Sequence, residues 1–407
     1  MNYEEAINWL FKIPLSFNRN NDNYNLKLEP VIKLCDHLGN PQNNLKIIHV
    51  GGTNGKGSTC HLLASVLQEH QYNVGIFSSP HLVDVRERVK INGCLIEKTF
   101  FKNFICENLN FFTKNKISFF EITFALALCY FNKKKVDFAV IEVGLGGRLD
   151  ATNICNPILS CITNIGYDHK KFLGNSLKQI ANEKSGIIKS NIPVVIGEKK
   201  PSLKKIFIKF SKKLNAPLHF VNSSQYKKND LKLDADYQFN NVSTAKKIIK
   251  LILREKLDLN KLNNGLINFK SNTSFIGRWQ KIKINPEVIL DTAHNIDAFK
   301  IIIKQLKKIP KNIKIVFGTL EKKDQLKIID VLPSNFFYYF CEINNPRSMS
   351  LNKIIKRATK NKLKFNAFNL ASNAYRQALF DSDSNSFILV TGSNYLLSEI
   401  LKNNEKN

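Results

Sequence analysis

Lys46-Ile47-Ile48-His49-Val50-Gly51-Gly52-Thr53-Asn54-Gly55-Lys56-Gly57-Ser58-Thr59 decides how the rest of the chain is read. Strand-forming residues run into a glycine cluster with a lysine and hydroxyls, and Leu62, Leu63, Val66 and Leu67 then follow at helical spacing. The pattern predicts strand, phosphate loop and helix. Glycines let backbone N–H groups turn inward, and the new helix directs its positive end to the same point, so an anion, foremost a nucleoside triphosphate, belongs there. Val50 stands where the usual loop starts with glycine, and Gly57 where Ser or Thr follows the lysine. By itself the stretch also fits a plain strand-to-helix connection.

Around it, 407 residues with 43% hydrophobic content support two domains. The net charge of +28 raises a nucleic-acid reading, but the lysines are scattered. Their densest run, Lys199 to Lys213, reads as a solvated helix face, and no interleaved basic and aromatic cluster accompanies it. We therefore expect no nucleic-acid partner. Cys35, Cys60, Cys94, Cys106, Cys129, Cys155, Cys161 and Cys341 form no C-x-x-C pair and sit mostly in apolar stretches, as reduced thiols do in a cytoplasmic protein. The acidic start at Glu4 and Glu5 is unlike a signal peptide. Phe119 to Phe131 is too short to span a membrane and holds Glu121.

Along the chain, helices are expected at both ends of residues 1–45, with Ala6, Ile7, Leu10 and Phe11 on one face and an Asn-rich turn from Asn18 to Asn25. Strands follow at Asn73 to Phe77, Val136 to Ile141, Ile158 to Ile162, Pro193 to Gly197 and Leu218 to Val221. Helices are read at Phe100 to Lys114, Glu121 to Phe131, Ser176 to Lys189, Leu203 to Leu214 and Asn241 to Leu253. The alternation specifies an α/β fold with a mostly parallel sheet covered on both faces. Lys56, Ser79, Glu142 and His169 all lie at the carboxyl ends of strands, where such sheets bind ligands.

The pattern resets between Asn272 and Gly277, giving domains 1–272 and 273–407. The second, smaller α/β domain should hold a strand ending at Asp291, a helix Ala298 to Lys307, a strand Ile313 to Phe317 and a helix Gln325 to Val331. A strand Phe336 to Cys341, helices near Ile354 and Ala374, a strand Phe387 to Val390 and a last helix complete it. Taken alone, His169 is equally a structural hydrogen-bonding residue, Asp291 a helix cap and Arg278 half of an ion pair.

Together the motifs carry a resemblance. Gly52 to Ser58, Ser78-Ser79-Pro80-His81-Leu82, Phe119-Phe120-Glu121, Glu142 to Asn153, Asp168-His169 and Glu183 to Ile187 resemble, in order, the bifunctional folylpolyglutamate synthase and dihydrofolate synthase family of the Mur ligase superfamily. So do Gly277-Arg278-Trp279-Gln280, Leu290 to Asn295 and Thr391-Gly392-Ser393.

The resemblance implies a phosphate-loop ATPase domain followed by a Rossmann-like ligase domain, using ATP and Mg²⁺. Asn54, Gly55, Lys56, Gly57, Ser58, Asn241, Arg278 and Asp291 would hold the nucleotide. Ser79, Glu142 and His169 would hold magnesium, and Lys184, if carboxylated, would add a further metal ligand. Lys56, Lys184 and His169 would serve catalysis. The pterin end of the acceptor would meet Asn23, Tyr24, Asn25 and Leu26, Phe119, Phe120 and Glu121, and Leu149, Asp150 and Ala151. Asn25 departs from an aspartate common in bifunctional members, leaving open one activity or both. The implied reaction joins L-glutamate to dihydropteroate or folates in a monomer without a membrane partner.

Overall fold

The computed structural model describes residues 1–14, 27–222, 235–321 and 324–404. The chain divides into two compact units: one from the described residues of Met1–His81, Arg86–Leu233 and Gln238–Phe275, the other from those of Leu82–Val85, Asp234–Tyr237 and Ile276–Asn407.

In the first unit the strands are β1 (Ile47–Gly51), β2 (Val74–Phe77), β3 (Val89–Ile91), β4 (Cys94–Leu95), β5 (Phe138–Glu142), β6 (Leu159–Ile162), β7 (Val194–Ile196) and β8 (Leu218–Phe220). They form one sheet in the order β4-β3-β2-β5-β1-β6-β7-β8. From β2 to β8 every pairing is parallel, while β3 and β4 run antiparallel at one edge. At its centre β1 and β5 are buried along their whole length, as the mostly apolar strands of a doubly covered sheet are. The helix Lys56–Glu69 leaves β1 directly and buries every residue from Ser58 to Leu67. Its core includes Val242 and Ile249 of the helix Gln238–Leu253 and Leu262 and Leu266 of the helix Leu259–Ile267.

The second unit holds β9 (Gln280–Lys283), β10 (Glu287–Asp291), β11 (Asn312–Phe317), β12 (Phe337–Cys341), β13 (Lys364–Phe368) and β14 (Ser386–Thr391), ordered β13-β12-β11-β14-β10-β9. Only β9 is antiparallel to its neighbour. One core cluster lies around Phe299, Phe317 and Phe340, another around Tyr339, Val390 and Leu397.

Several expectations need correction. The helix expected over Ser176 to Lys189 stops at Ser185. The Arg148 N–H takes the Glu183 carbonyl at 2.9 Å, and a Cβ on Gly186 would stand 2.4 Å from that of Arg148, so a crossing loop ends the helix. Gln325–Val331 is a 3₁₀ helix, with Pro333 close behind it to remove a donor. Phe11 is more than half exposed, although its ring stacks on Phe119 at 5.9 Å. Strands β3, β4, β9 and β13 were not foreseen. The turn Asn18 to Asn25 lies outside the described residues.

Among the described residues no helix is long and apolar enough to cross a membrane.

Candidate active site

At the end of β1 the chain turns through Gly52 (φ +144°) and Gly55 (φ +82°), backbone states that disfavour a side chain. The space is also taken: a Cβ on Gly52 would fall 1.9 Å from Thr163 Oγ1, and one on Gly55 2.2 Å from Asn241 Oδ1. The loop after β6 pins this turn. Thr53 N–H donates to the Asn164 carbonyl at 3.0 Å, Asn54 N–H to Asn164 Oδ1 at 2.8 Å, and Thr163 Oγ1 to the Asn54 carbonyl at 2.7 Å. Gln238 Nε2 reaches Ser58 Oγ at 3.2 Å, and Asn241 Nδ2 donates to Gln238 Oε1 at 2.9 Å. Thr163, Asn164 and Gln238 are not among the residues singled out from sequence; the first two directly follow the strand expected at Ile158 to Ile162, whereas Gln238 carries no sequence signal.

The helix Lys56–Glu69 starts at Gly55 without a side-chain cap, so its first N–H groups face the loop. Lys56 Nζ is loosely held, 3.4 Å from the Thr53 carbonyl and 3.9 Å from Glu142 Oε1. Glu142 itself is buried at the end of β5 and accepts the Ser79 N–H on Oε2 at 3.0 Å. That oxygen lies 3.5 Å from where a Cβ of Gly57 would stand. A Ser or Thr at 57 would push its hydroxyl toward this carboxylate. Glu142 thus lies over Gly57 at ordinary contact distance, and the nearby hydroxyl residue is Ser79. Lys56, Gly57, Ser79 and Glu142 therefore converge at one point.

Lys184, fully buried in the last turn of its helix, donates from Nζ to the Gly52 carbonyl at 2.8 Å. Burial, then the charge on Lys56, lower its pKa to about 7, against the pull of Asp168 and Asp150. His169 follows β6 in a left-handed conformation (φ +49°), with Nε2 3.7 Å from Asp168 Oδ1. Among the described residues no three His, Cys, Asp or Glu side chains group as a metal site. Glu142 and Ser79 instead offer hard oxygens, donors that suit magnesium when phosphate and water oxygens complete its shell.

Farther along, Phe120 and Asp150 meet at Gly144, whose absent Cβ would lie 2.5 Å from Phe120 Cζ and 3.1 Å from Asp150 Oδ2. Phe119 is buried, while Leu149 and Ala151 are half-buried on the same turn as Asp150. Glu121 is spent locally: Oε2 accepts the Ser118 N–H at 2.8 Å and its hydroxyl at 2.5 Å in a capping box. Asn23, Tyr24, Asn25 and Leu26 lie outside the described residues.

In the second unit, Asp291 at the end of β10 accepts Tyr237 OH at 2.7 Å, Trp279 N–H at 3.0 Å and Ala293 N–H at 2.9 Å. An Arg278 Nη donates to Thr292 Oγ1 beside it.

A phosphate loop joined to a strand-terminal carboxylate is the frame of a phosphate-loop nucleotide-binding enzyme, here with a second α/β unit in the chain. The Mur ligase middle domain matches residues 50–278 and the Mur ligase glutamate ligase domain residues 277–394. A dihydrofolate synthase/folylpolyglutamate synthase of Buchnera aphidicola from Schizaphis graminum is 34% identical, with 86% of each chain covered. A bifunctional folylpolyglutamate synthase/dihydrofolate synthase solved with Mn, AMPPNP and L-glutamate superimposes with TM-score 0.85, 27% identity and 98% coverage of both chains. E. coli FolC in complex with DHPP and ADP gives TM-score 0.84, 26% identity and the same coverage. The chain belongs to the dihydrofolate synthase/folylpolyglutamate synthase family.

Proposed function

We propose that this protein uses ATP to ligate L-glutamate to the carboxylate of dihydropteroate and of folates, including their polyglutamates. The approach of Glu142 over Gly57, with Lys56 and Ser79 beside it, is the observation that carries this reading. It turns an imperfect phosphate loop into one built around a strand-end carboxylate. The acceptor carboxylate attacks the γ-phosphorus of ATP, forming an acyl phosphate and releasing ADP. The glutamate amine then attacks the acyl carbon, loses a proton and expels phosphate, leaving an amide.

Two anions must meet in the first step. At ~4 Å two unit charges repel by about 4 kcal/mol at an effective dielectric of about 20. Lys56 offsets that repulsion, and the uncapped N–H groups of its helix hold phosphate oxygens. Asn54, Gly55, Gly57, Ser58 and Asn241 complete the nucleotide cradle in the first unit; for Arg278 and Asp291 of the second unit a nucleotide role rests on the family pattern alone. Glu142, Ser79 and His169 would hold magnesium, which when bound neutralises phosphate charge. Lys184, with its amine poised near neutrality, suits capture of CO₂ as a carbamate with loss of a proton, creating a further oxygen ligand. Phe119, Phe120, Leu149 and Ala151 receive the flat end of the acceptor. Glu121 and Asp150 act there through the structures they cap.

The free cysteines suit the cytoplasm, where we place a monomer that needs neither nucleic acid nor membrane. A single-activity folylpolyglutamate synthase is the second reading, favoured by Asn25. ADP release with glutamate, measured separately on dihydropteroate and on a reduced monoglutamyl folate, tests both. Turnover of each supports the bifunctional enzyme, turnover of the folate alone supports the second reading, turnover of dihydropteroate alone marks a monofunctional dihydrofolate synthase, and turnover of neither rejects the ligase.

A further inference from the structure

His49 is fully buried in the central strand β1, two residues before the phosphate loop, among otherwise apolar strand residues. A histidine in such a place needs a reason, because each ring nitrogen left unpaired there costs free energy. Its Nε2 lies 2.8 Å from Thr152 Oγ1, more than a hundred residues along the chain. Thr152 is itself fully buried, and its hydroxyl donates to Asp150 Oδ1 at 2.5 Å. The same carboxylate accepts the Thr152 N–H on Oδ1 at 3.0 Å and the Leu145 N–H on Oδ2 at 2.7 Å.

These bonds fix the direction of every proton. A hydroxyl has one hydrogen, and Thr152 gives it to Asp150. The remaining contact to Thr152 Oγ1 must therefore come from His49 as an Nε2–H donor. Nδ1 is then a bare acceptor, and it has no hydrogen-bond partner among the described residues. The neutral ring this requires agrees with its surroundings: burial first, and then the charge of Lys189, push its pKa down to about 3. Burial raises the Asp150 pKa, against hydrogen bonds from Leu145, Thr152 and Gly144. With those donors gathered on it, the Asp150 carboxylate spends its accepting capacity on the loop from Gly144 to Thr152. It shapes that loop instead of reaching across it.

The consequence lies at Gly144, where the loop meets the ring of Phe120. We propose that His49 is a positioning residue for the acceptor: acting through Thr152 and Asp150, it sets the loop from Gly144 to Thr152, which meets Phe120 at Gly144, and so governs affinity for the acceptor's flat end. The inference rests on the ligase reading above. It assigns work to a side chain in a strand otherwise occupied with core packing, and it separates acceptor binding from ATP binding although β1 leads into the phosphate loop.

The test compares His49→Leu and Thr152→Val, which break the chain of donors, with His49→Gln and Thr152→Ser, which keep a donor and a hydroxyl in place. KM values for acceptor and for ATP, and kcat, are measured on each folded protein. The first pair should raise the acceptor KM about tenfold, the scale of one lost buried hydrogen bond, and leave the ATP KM within about twofold. The second pair should recover most of the loss. Thr152→Val nearly preserves shape and carries the test if His49→Leu does not fold. An unchanged acceptor KM in the folded member or members of the breaking pair overturns the assignment, as does an equal rise in both KM values. If wild-type protein turns over neither acceptor, the ligase reading falls and the assignment falls with it.

Discussion

The phosphate loop and the loop from Gly144 to Asn153 use similar side chains in opposite ways. Around the first, Lys56 sits 3.9 Å from Glu142 and 3.4 Å from a carbonyl, distances at which neither contact holds it firmly. In the second, Asp150 is gripped at 2.5 to 3.0 Å, and Asn153 Nδ2 donates to the carbonyls of Arg148 and Gly186 at 3.0 and 3.1 Å. Lys56, which must meet a changing charge, is held lightly. Groups that must hold a shape are spent on the scaffold. Removing a member of the first set should therefore cost activity, and removing a member of the second should cost stability.

The sharpest separation is expected at Lys56. Lys56→Ala should lower kcat/KM by roughly 10³-fold or more while thermal unfolding stays close to wild type; wild-type turnover in steady-state kinetics would remove its phosphate role. Lys184→Ala should also lose most activity, and short-chain carboxylates added to the assay should restore part of it. Unaffected turnover would contradict the carbamate. Asp150→Ala falls on the other side of the divide, stranding the Leu145 and Thr152 donors and costing about 1–3 kcal/mol in denaturant unfolding.

The effect confined to alkaline pH belongs to Lys90, whose Nζ donates to the carbonyls of Thr273 and Ser274 at 3.3 and 2.7 Å. Burial lowers its pKa from 10.5 to about 8, against the pull of Glu87. Between those values the unfolded chain binds the proton that the folded protein has released, so this group makes stability rise with pH from about 8 to 10.5. Lys90→Met should remove that increment from a pH series of unfolding curves, and an identical pH slope in the variant would count against it.

The same division explains what could be read from sequence. Strands β1, β2, β5 and β6 were legible because double burial writes itself as a mostly apolar run, interrupted in β1 by His49, and the strand-end residues Lys56, Ser79, Glu142 and His169 followed from them. Strands β9 and β13 carry lysines and mix partly buried with exposed residues, so only pairing with a neighbour makes them strands. At the site, spacing revealed which strand ends carry polar groups, but not that Glu142 lies over Gly57. Nor could it reveal the bond from His49 to Thr152, which joins distant residues through side chains alone. Glu121 shows the converse: its place beside two phenylalanines suggested a ligand contact, whereas Ser118 three residues earlier marks the capping box that holds it.

The central claim is that the lightly held charges at the phosphate loop activate a carboxylate, and isotope transfer tests it most directly. With the acceptor carboxylate labelled by ¹⁸O, ATP, magnesium and glutamate are added and the released inorganic phosphate is analysed by mass spectrometry. An acyl phosphate predicts one ¹⁸O in each phosphate released with amide formation. Amide product accompanied by unlabelled phosphate would contradict it.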